Sequence, residues 1–219
     1  MTKVKSIVLL TRWQEYVYFV VPLTLTGFLI TNTPYASKLV AVLIGNLLTT
    51  AFAFIINDVE DAEDDKAIPA KLTRNPISSG ELSRGFGYLA STLAASGAFL
   101  AFYSIGGVTT LLGSFNILLA YIYSSKAVRL KKWPLVDIVS HAMMLGGLLI
   151  LTSFYTFSNN IGPAFSLVMG VFFISSYGQI YNQIRDFEAD KKAGLKNTTI
   201  LLGKNNSLLL ARLFLQKLS

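Results

Sequence analysis

Apolar residues along this chain come in long blocks, with polar residues gathered in the connections between them. A bilayer core takes about 20 mostly apolar residues per helix, within a range of about 17–25. Allowing for ragged ends, six blocks fit: Glu15–Thr31, Leu39–Ile56, Phe86–Ile105, Val108–Tyr123, Leu135–Phe157 and Gly162–Tyr181. A seventh segment, "SLLLARLFLQKLS", carries Arg212 and Lys217 and is too short to span. The pattern predicts an all-α polytopic transmembrane helix bundle, six full spans plus the start of a seventh, forming one domain over residues 1–219.

Charge sorts the connections into two sets. The first (Thr31–Lys38), third ("GGV") and fifth ("SNNIG") hold a single basic residue between them, Lys38. The N-terminus and the second, fourth and sixth connections hold nearly all the other Lys and Arg. Basic loops stay on the cytoplasmic side, so the N-terminus and the chemically dense connections are expected there. A missed or invented span would scramble this alternation.

Composition agrees. Of 219 residues, 53% are hydrophobic and 14% charged, whereas a soluble domain has roughly a quarter charged. The net charge of +7 raises the question of nucleic acid. The basic residues are divided among membrane loops and leave no continuous basic face, so no nucleic-acid partner is expected. Absence of cysteine excludes disulfides and thiolate metal sites. The start, "MTKVKSIVLLTRWQEY", has only a short apolar run and no small-residue cleavage site, unlike a secretory signal.

Two stretches concentrate acids where apolar blocks end. In "IINDVEDAEDDK" (55–66), Asp58, Asp61 and Asp65 are separated by three and four residues, and Asn57 precedes Asp61 by four. On a continued helix these share one face. Stacked carboxylates repel unless a divalent cation joins them, and Mg²⁺ is commonly held by one or two carboxylates plus substrate phosphates. In "YNQIRDFEADKKAGLKN" (181–197), Asp186 and Asp190 are four apart and Asn182 lies one turn earlier, with Arg185, Lys191, Lys192 and Lys196 around them. Carboxylates for a metal beside cations for free phosphate oxygens suit a Mg-diphosphate. An acid run at a helix end is commonly a solvated loop, and that reading competes for the first cluster alone. It weakens once a matching cluster ends another span. An EF-hand is excluded, because the loop lacks its glycine and closing glutamate. Glu60, Glu63 and Asp64 fall outside the spacing and are expected to be solvated.

These stretches resemble the signatures of the UbiA-type intramembrane prenyltransferases. Asn57-Asp58-x-x-Asp61-x-x-x-Asp65 is similar to the first, and Asp186-x-x-x-Asp190 followed by "KKAGLKNTTILLG" to the second. "RNPISSGELS" (Arg74 to Ser83) and "YSSKAVRLKKWPLVD" (Tyr123 to Asp137) resemble the family's Arg/Pro/Ser-Gly stretch and its Tyr/Lys-rich connection. The resemblance covers nearly the whole chain, in order. It implies Mg²⁺-dependent transfer of a prenyl group from an isoprenyl diphosphate to a lipophilic acceptor: a quinone precursor, aromatic, carotenoid or glycerol-phosphate lipid. It assigns Asp58, Asp61, Asp65, Asp186 and Asp190 to the metal, with Asn57 beside them and Asn182 assisting. Arg74, Lys126, Arg129, Lys131, Arg185 and Lys191 are implied as diphosphate ligands, and Tyr123 as a group facing a phosphate or the carbocation. Family members resemble a nine-helix bundle, so this chain is expected to be C-terminally short, with truncation preferred over assembly with another chain.

Other readings stay open at the sequence level. Phosphoribosyl transfer to a polyprenyl phosphate shares the metal–phosphate logic. A cation channel or transporter would instead place its polar residues near the midplane of broken helices. A third is a non-catalytic remnant that binds a cation, a prenyl diphosphate or a partner. Asp137 and His141, one turn apart in the fifth span, form an ionisable pair that would orient the acceptor or take its proton, or simply satisfy itself between helices. Phe172, Phe173, Tyr177 and Tyr181 would line a prenyl cavity or serve as packing and interfacial anchors.

Overall fold

A computed structural model describes residues 3–192 and 194–216. It contains α1 (Lys3–Thr11), α2 (Trp13–Leu29), α3 (Leu39–Glu60), α4 (Ala62–Asp65), α5 (Pro69–Leu72), α6 (Arg84–Ile105) and α7 (Gly107–Ser124). Beyond these come α8 (Val136–Phe157), α9 (Gly162–Arg185), α10 (Phe187–Lys192) and α11 (Thr198–Gln216). No strand occurs among the described residues.

Five of these helices, α3, α6, α7, α8 and α9, are long and apolar enough to cross a membrane. The first expected span is α2, a 17-residue helix at the short end of the spanning range, so the helices meeting the full length number one fewer than the six expected. The closing segment is a helix broken at Gly203, whose φ of 77° lies in the left-handed region. Its Lys217 lies outside the described residues.

Between membrane helices the lipid is as apolar as the side chains, so association depends on close packing and buried hydrogen bonds. Both devices centre on α3 and α8, the most buried of the spans. A Cβ on Gly45 of α3 or Gly113 of α7 would lie 2.5 or 2.2 Å from the Phe102 ring of α6. Bare backbone at both positions therefore lets three helices close around one fully buried phenyl group. On the opposite side, Asn46 of α3 donates to Thr24 Oγ1 of α2 at 2.9 Å and to the Leu149 carbonyl of α8 at 3.0 Å. It also accepts from Thr152 Oγ1 at 2.8 Å. Such bonds contribute about 0.6 kcal/mol each in membranes. Their larger effect is on register, since a shift of one residue would orphan a buried amide.

Helix α8 is not uniform. Met143–Gly147 winds as a π-helical turn, an insertion often found near functional sites. Before it α8 packs on α9, and after it on α2.

Candidate active site

Helices α2, α3, α8 and α9 surround a cavity of about 780 Å³. Its polar end is walled by Asn57, Asp58, Asp61, Asp65, Asn182 and Asp186, so the first acid cluster and Asp186 of the second meet at one cavity, with Asp190 outside its wall. Its other end is apolar, walled by residues such as Phe19, Leu23, Phe54, Met144, Leu145 and Ile174. The cavity thus combines a charged mouth with a greasy interior.

The first cluster is buried and heavily braced. Asp58, 3% exposed, accepts at Oδ1 from Arg12 Nη1 at 3.1 Å, while its Oδ2 has no hydrogen-bond partner among the described residues. Asp61 pairs at Oδ1 with Arg129 Nη2 at 2.8 Å and at Oδ2 with Lys131 Nζ. Burial would raise the Asp61 carboxyl, but Lys131 and Arg129 outweigh it and hold the group below the ordinary carboxylate range. Asp65 Oδ1 lies 2.8 Å from Lys71 Nζ, and its Oδ2 accepts from Asn75 Nδ2 at 3.1 Å. For Lys71 burial works against the charge, and the Asp65 carboxylate more than restores it, raising this ammonium above the usual lysine value.

The second cluster is looser. Asp186 pairs with Arg185, its chain neighbour, at 3.1 Å, both partly exposed. Asp190 accepts from Asn197 Nδ2 at 2.8 Å. Burial raises the Asp190 carboxyl to about 6, Lys71 pulls it down, and Asp186 pushes it up again.

Several expectations are corrected. Glu60 is not solvated, whereas Asp64 keeps 34% of its side chain exposed while ion-paired. Glu60 is 7% exposed and accepts from Tyr88 Oη of α6 at 2.9 Å and from the Lys126 backbone N–H at 3.0 Å. Asp64 pairs with Arg129 at 2.5 Å. Glu63, paired with Lys66, is exposed as expected. Asp137 and His141 do not pair: Asp137 is bonded to Gln183 and Thr198, whereas His141 Nδ1 lies 3.4 Å from Ser175 Oγ and its ring lines the cavity. Their one-turn spacing put them on one helix, but neighbours on α9 and α11 claim the Asp137 carboxylate. Phe172, Phe173, Tyr177 and Tyr181 are not in the cavity wall. Phe173 packs 5.9 Å from Phe214 of α11, and Tyr177 stacks on Tyr181 at 6.4 Å.

Of the expected phosphate ligands, Arg74 and Arg185 reach the cavity wall. Arg129 and Lys131 are engaged with Asp61, and Lys131 also donates to Asn57 Oδ1 at 2.9 Å. The side chains of Lys126 and Lys191 are exposed and outside the wall. Tyr123 is buried in the wall, and its hydroxyl accepts from Gln179 Nε2 at 3.0 Å.

Sequence reading missed Arg12, Lys71 and Asn75. Arg12, at φ 51° between α1 and α2, is 8% exposed. Its guanidinium sits 4.4 Å from the centroid of the Phe54 ring and forks onto Glu15 at 2.8 and 2.6 Å. Glu15 also pairs with Arg74 at 3.3 Å. Asn75, 2% exposed, donates to the Asp58 carbonyl at 2.8 Å. Only the i,i+3 spacing of Arg12 and Glu15 offered a local signal.

The donor set fits a Mg-diphosphate better than a bare ion. Among the described residues no three acids form a ready metal cage. A buried carboxylate oxygen without a donor, Asp58 Oδ2, sits instead in a cavity wall ringed by cations, and an oxygen lone pair left dry calls for a positive partner.

Comparison with known proteins gives a consistent answer. The profile of the UbiA prenyltransferase family matches residues 20–216. The chain is 28% identical over 162 residues to a lycopene elongase/hydratase of Haloarcula japonica, covering 71% of this chain and 51% of the relative. It is 28% identical over 188 residues to digeranylgeranylglyceryl phosphate synthase of Methanoculleus marisnigri, covering 82% and 62%. It therefore spans about half the length of the first and less than two thirds of the second. The fold superposes with a TM-score of 0.82, at 25% identity, on a UbiA homologue from Archaeoglobus fulgidus bound to DMAPP and Mg²⁺, covering 94% of this chain and 72% of that one.

Proposed function

The chain belongs to the UbiA prenyltransferase family, a multi-pass integral membrane protein by that membership and its five apolar spans, and we propose that it transfers a prenyl group from an isoprenyl diphosphate to a lipophilic acceptor. The observation that carries the reading is Asp58 Oδ2, a buried acceptor with no donor among the described residues, in the wall that also holds Asp61, Asp65 and Asp186. The relatives support it: one solved structure holds an allylic diphosphate with Mg²⁺, and a related protein is a digeranylgeranylglyceryl phosphate synthase.

In this reading Asp58, Asp61, Asp65, Asp186 and Asp190 hold Mg²⁺, with Asn57 and Asn182 beside them. When bound, the metal supplies positive charge to the diphosphate oxygens. Arg74 and Arg185, already at the mouth, bind the remaining oxygens, and Lys131 and Arg129 exchange part of their pairing with Asp61 for the headgroup. As the allylic C–O bond breaks, its electron pair leaves with the diphosphate, and these fixed cations stabilise the growing charge. The prenyl chain extends along the apolar wall of Phe19, Leu23 and Ile174, which keeps water from the carbocation. The Tyr123 ring faces that cation until the acceptor nucleophile captures it and releases a proton. By the charge of the connections, the N-terminus and both clusters lie on the cytoplasmic side.

The test is incubation of purified protein with Mg²⁺, a labelled isoprenyl diphosphate and a panel of aromatic, quinone-precursor, carotenoid and glycerol-phosphate acceptors. Prenylated product that is lost in Asp61→Ala and Asp186→Ala supports the proposal. Ion flux in liposomes without diphosphate consumption overturns it.

A further inference from the structure

Asp137 belongs to no wall of the cavity, yet it is wholly buried. A carboxylate inside a membrane helix is expensive unless its oxygens are filled. Apart from the Ile138 N–H beside it, every donor that fills them comes from the flanks of the second acid cluster. Gln183 Nε2 donates to Oδ2 at 2.7 Å, the Thr198 backbone N–H to Oδ2 at 2.7 Å, and Thr198 Oγ1 to Oδ1 at 2.5 Å. Gln183 completes the closure by accepting from the Thr199 N–H at 3.1 Å. Asp186 and Asp190 lie between these two anchor points in the chain. Gln183, before the second cluster, and Thr198, after it, are therefore drawn together on one carboxylate.

The closure reaches the cluster itself. Asn197, next to Thr198 and 3% exposed, accepts at Oδ1 from the Ile200 N–H at 2.9 Å, capping the start of α11. That fixes its amide, and the other end of the amide donates to Asp190 Oδ2 at 2.8 Å. A chain of side chains thus runs from α8 to a proposed metal ligand: Asp137, Thr198, Asn197, Asp190.

We propose that Asp137 is a positioning residue for the second acid cluster. It draws Gln183 and Thr198 together and, through Thr198 and Asn197, sets the orientation in which Asp190 receives the metal–diphosphate headgroup. The inference rests on the metal reading given under Proposed function.

Mn²⁺ titration followed by electron paramagnetic resonance tests it, with the full chain in nanodiscs and a non-cleavable isoprenyl thiolodiphosphate as probe. Asp137→Asn keeps an acceptor for the Thr198 hydroxyl but sets an NH₂ against both Gln183 Nε2 and the Thr198 backbone N–H, donors facing donors. Mn²⁺ affinity is expected to fall about 10–100-fold, the usual cost of losing support behind a metal ligand. Gln183→Glu added to Asp137→Asn restores a donor–acceptor pair at position 183 while the Thr198 N–H still meets the introduced NH₂, so affinity recovers in part, above that of the single variant. Thr198→Val, which removes one donor to Asp137 and the acceptor of the Leu135 N–H but keeps the Gln183 and Thr198 N–H bonds, gives a smaller loss. Unchanged Mn²⁺ binding in Asp137→Asn, or a double variant no better than the single one, overturns the proposal. If the wild-type chain binds neither Mn²⁺ nor the probe, the metal reading itself fails. The clamp is then judged by amide hydrogen exchange: faster exchange at residues 190–197 in Asp137→Asn upholds it, and unchanged exchange overturns it.

Discussion

The two acid clusters carry the same chemistry on different supports. The first rides the end of α3, the central buried helix, and its three aspartates are held by Arg12, Lys71, Asn75, Arg129 and Lys131. The second lies where the less buried α9 gives way to α10; among the described residues Asp186 has only its neighbour Arg185 for an ion pair, and Asp190 has Asn197. The first is thus preorganised, whereas the second depends on flanking residues tied together at Asp137. Preorganised charge costs little reorganisation at the moment of reaction, so in the proposed reaction the first cluster is the part on which a leaving diphosphate would depend.

Breaking each side in turn tests that difference. Asp61→Ala is expected to cost the most, at least about 100-fold in kcat, since it leaves Arg129 and Lys131 without their shared partner as well as removing a ligand. Product formation under saturating substrate measures this. Asp186→Ala should cost less, on the order of 10–100-fold, and expressed partly as a higher Mg²⁺ requirement. A larger loss in Asp186→Ala than in Asp61→Ala would reverse the ranking. Arg12→Ala leaves a buried carboxylate unpaired and should lower stability by about 3–5 kcal/mol, seen as a drop in thermal midpoint. Arg185→Ala, at a largely exposed pair, should change stability by about 0–1 kcal/mol in the same assay. Smallest of all is Lys191→Ala, whose exposed side chain lies outside the cavity wall and whose loss should leave turnover within about twofold.

Much of the first cluster could be read from spacing, because Asn57, Asp58, Asp61 and Asp65 lie on consecutive turns and spacing reports helical faces. The spans were legible for the same reason, apart from α2, whose 17 residues sit at the boundary of the length criterion. What spacing cannot report is partnership across the chain. Arg12 meets Asp58 from 46 residues away, and Arg129 takes Asp64 from 65 away. Glu60 looked like one more water-facing acid, yet Tyr88 and the Lys126 N–H bury it. Asp137 and His141 shared a helix face and suggested a pair; packing from α9 and α11 separated their roles. For the aromatic run in α9, spacing left cavity lining and packing open, and the rings took the packing role.

The π-helical turn at Met143–Gly147 makes α8 a two-sided part. An α-helix turns about 100° per residue, and a π-turn absorbs one extra residue without unwinding the helix on either side of it. The stretch before it presents Asp137 to the second cluster's loop, while the stretch after it presents Leu149 and Thr152 to Asn46. Deleting one residue there would restore a regular helix and swing one half about 100° against the other. Either the Asn46 seam or the Asp137 clamp would then face empty lipid. The insertion acts as a gear tooth, keeping the scaffold and the reactive end in phase while leaving each free to adopt its own facing.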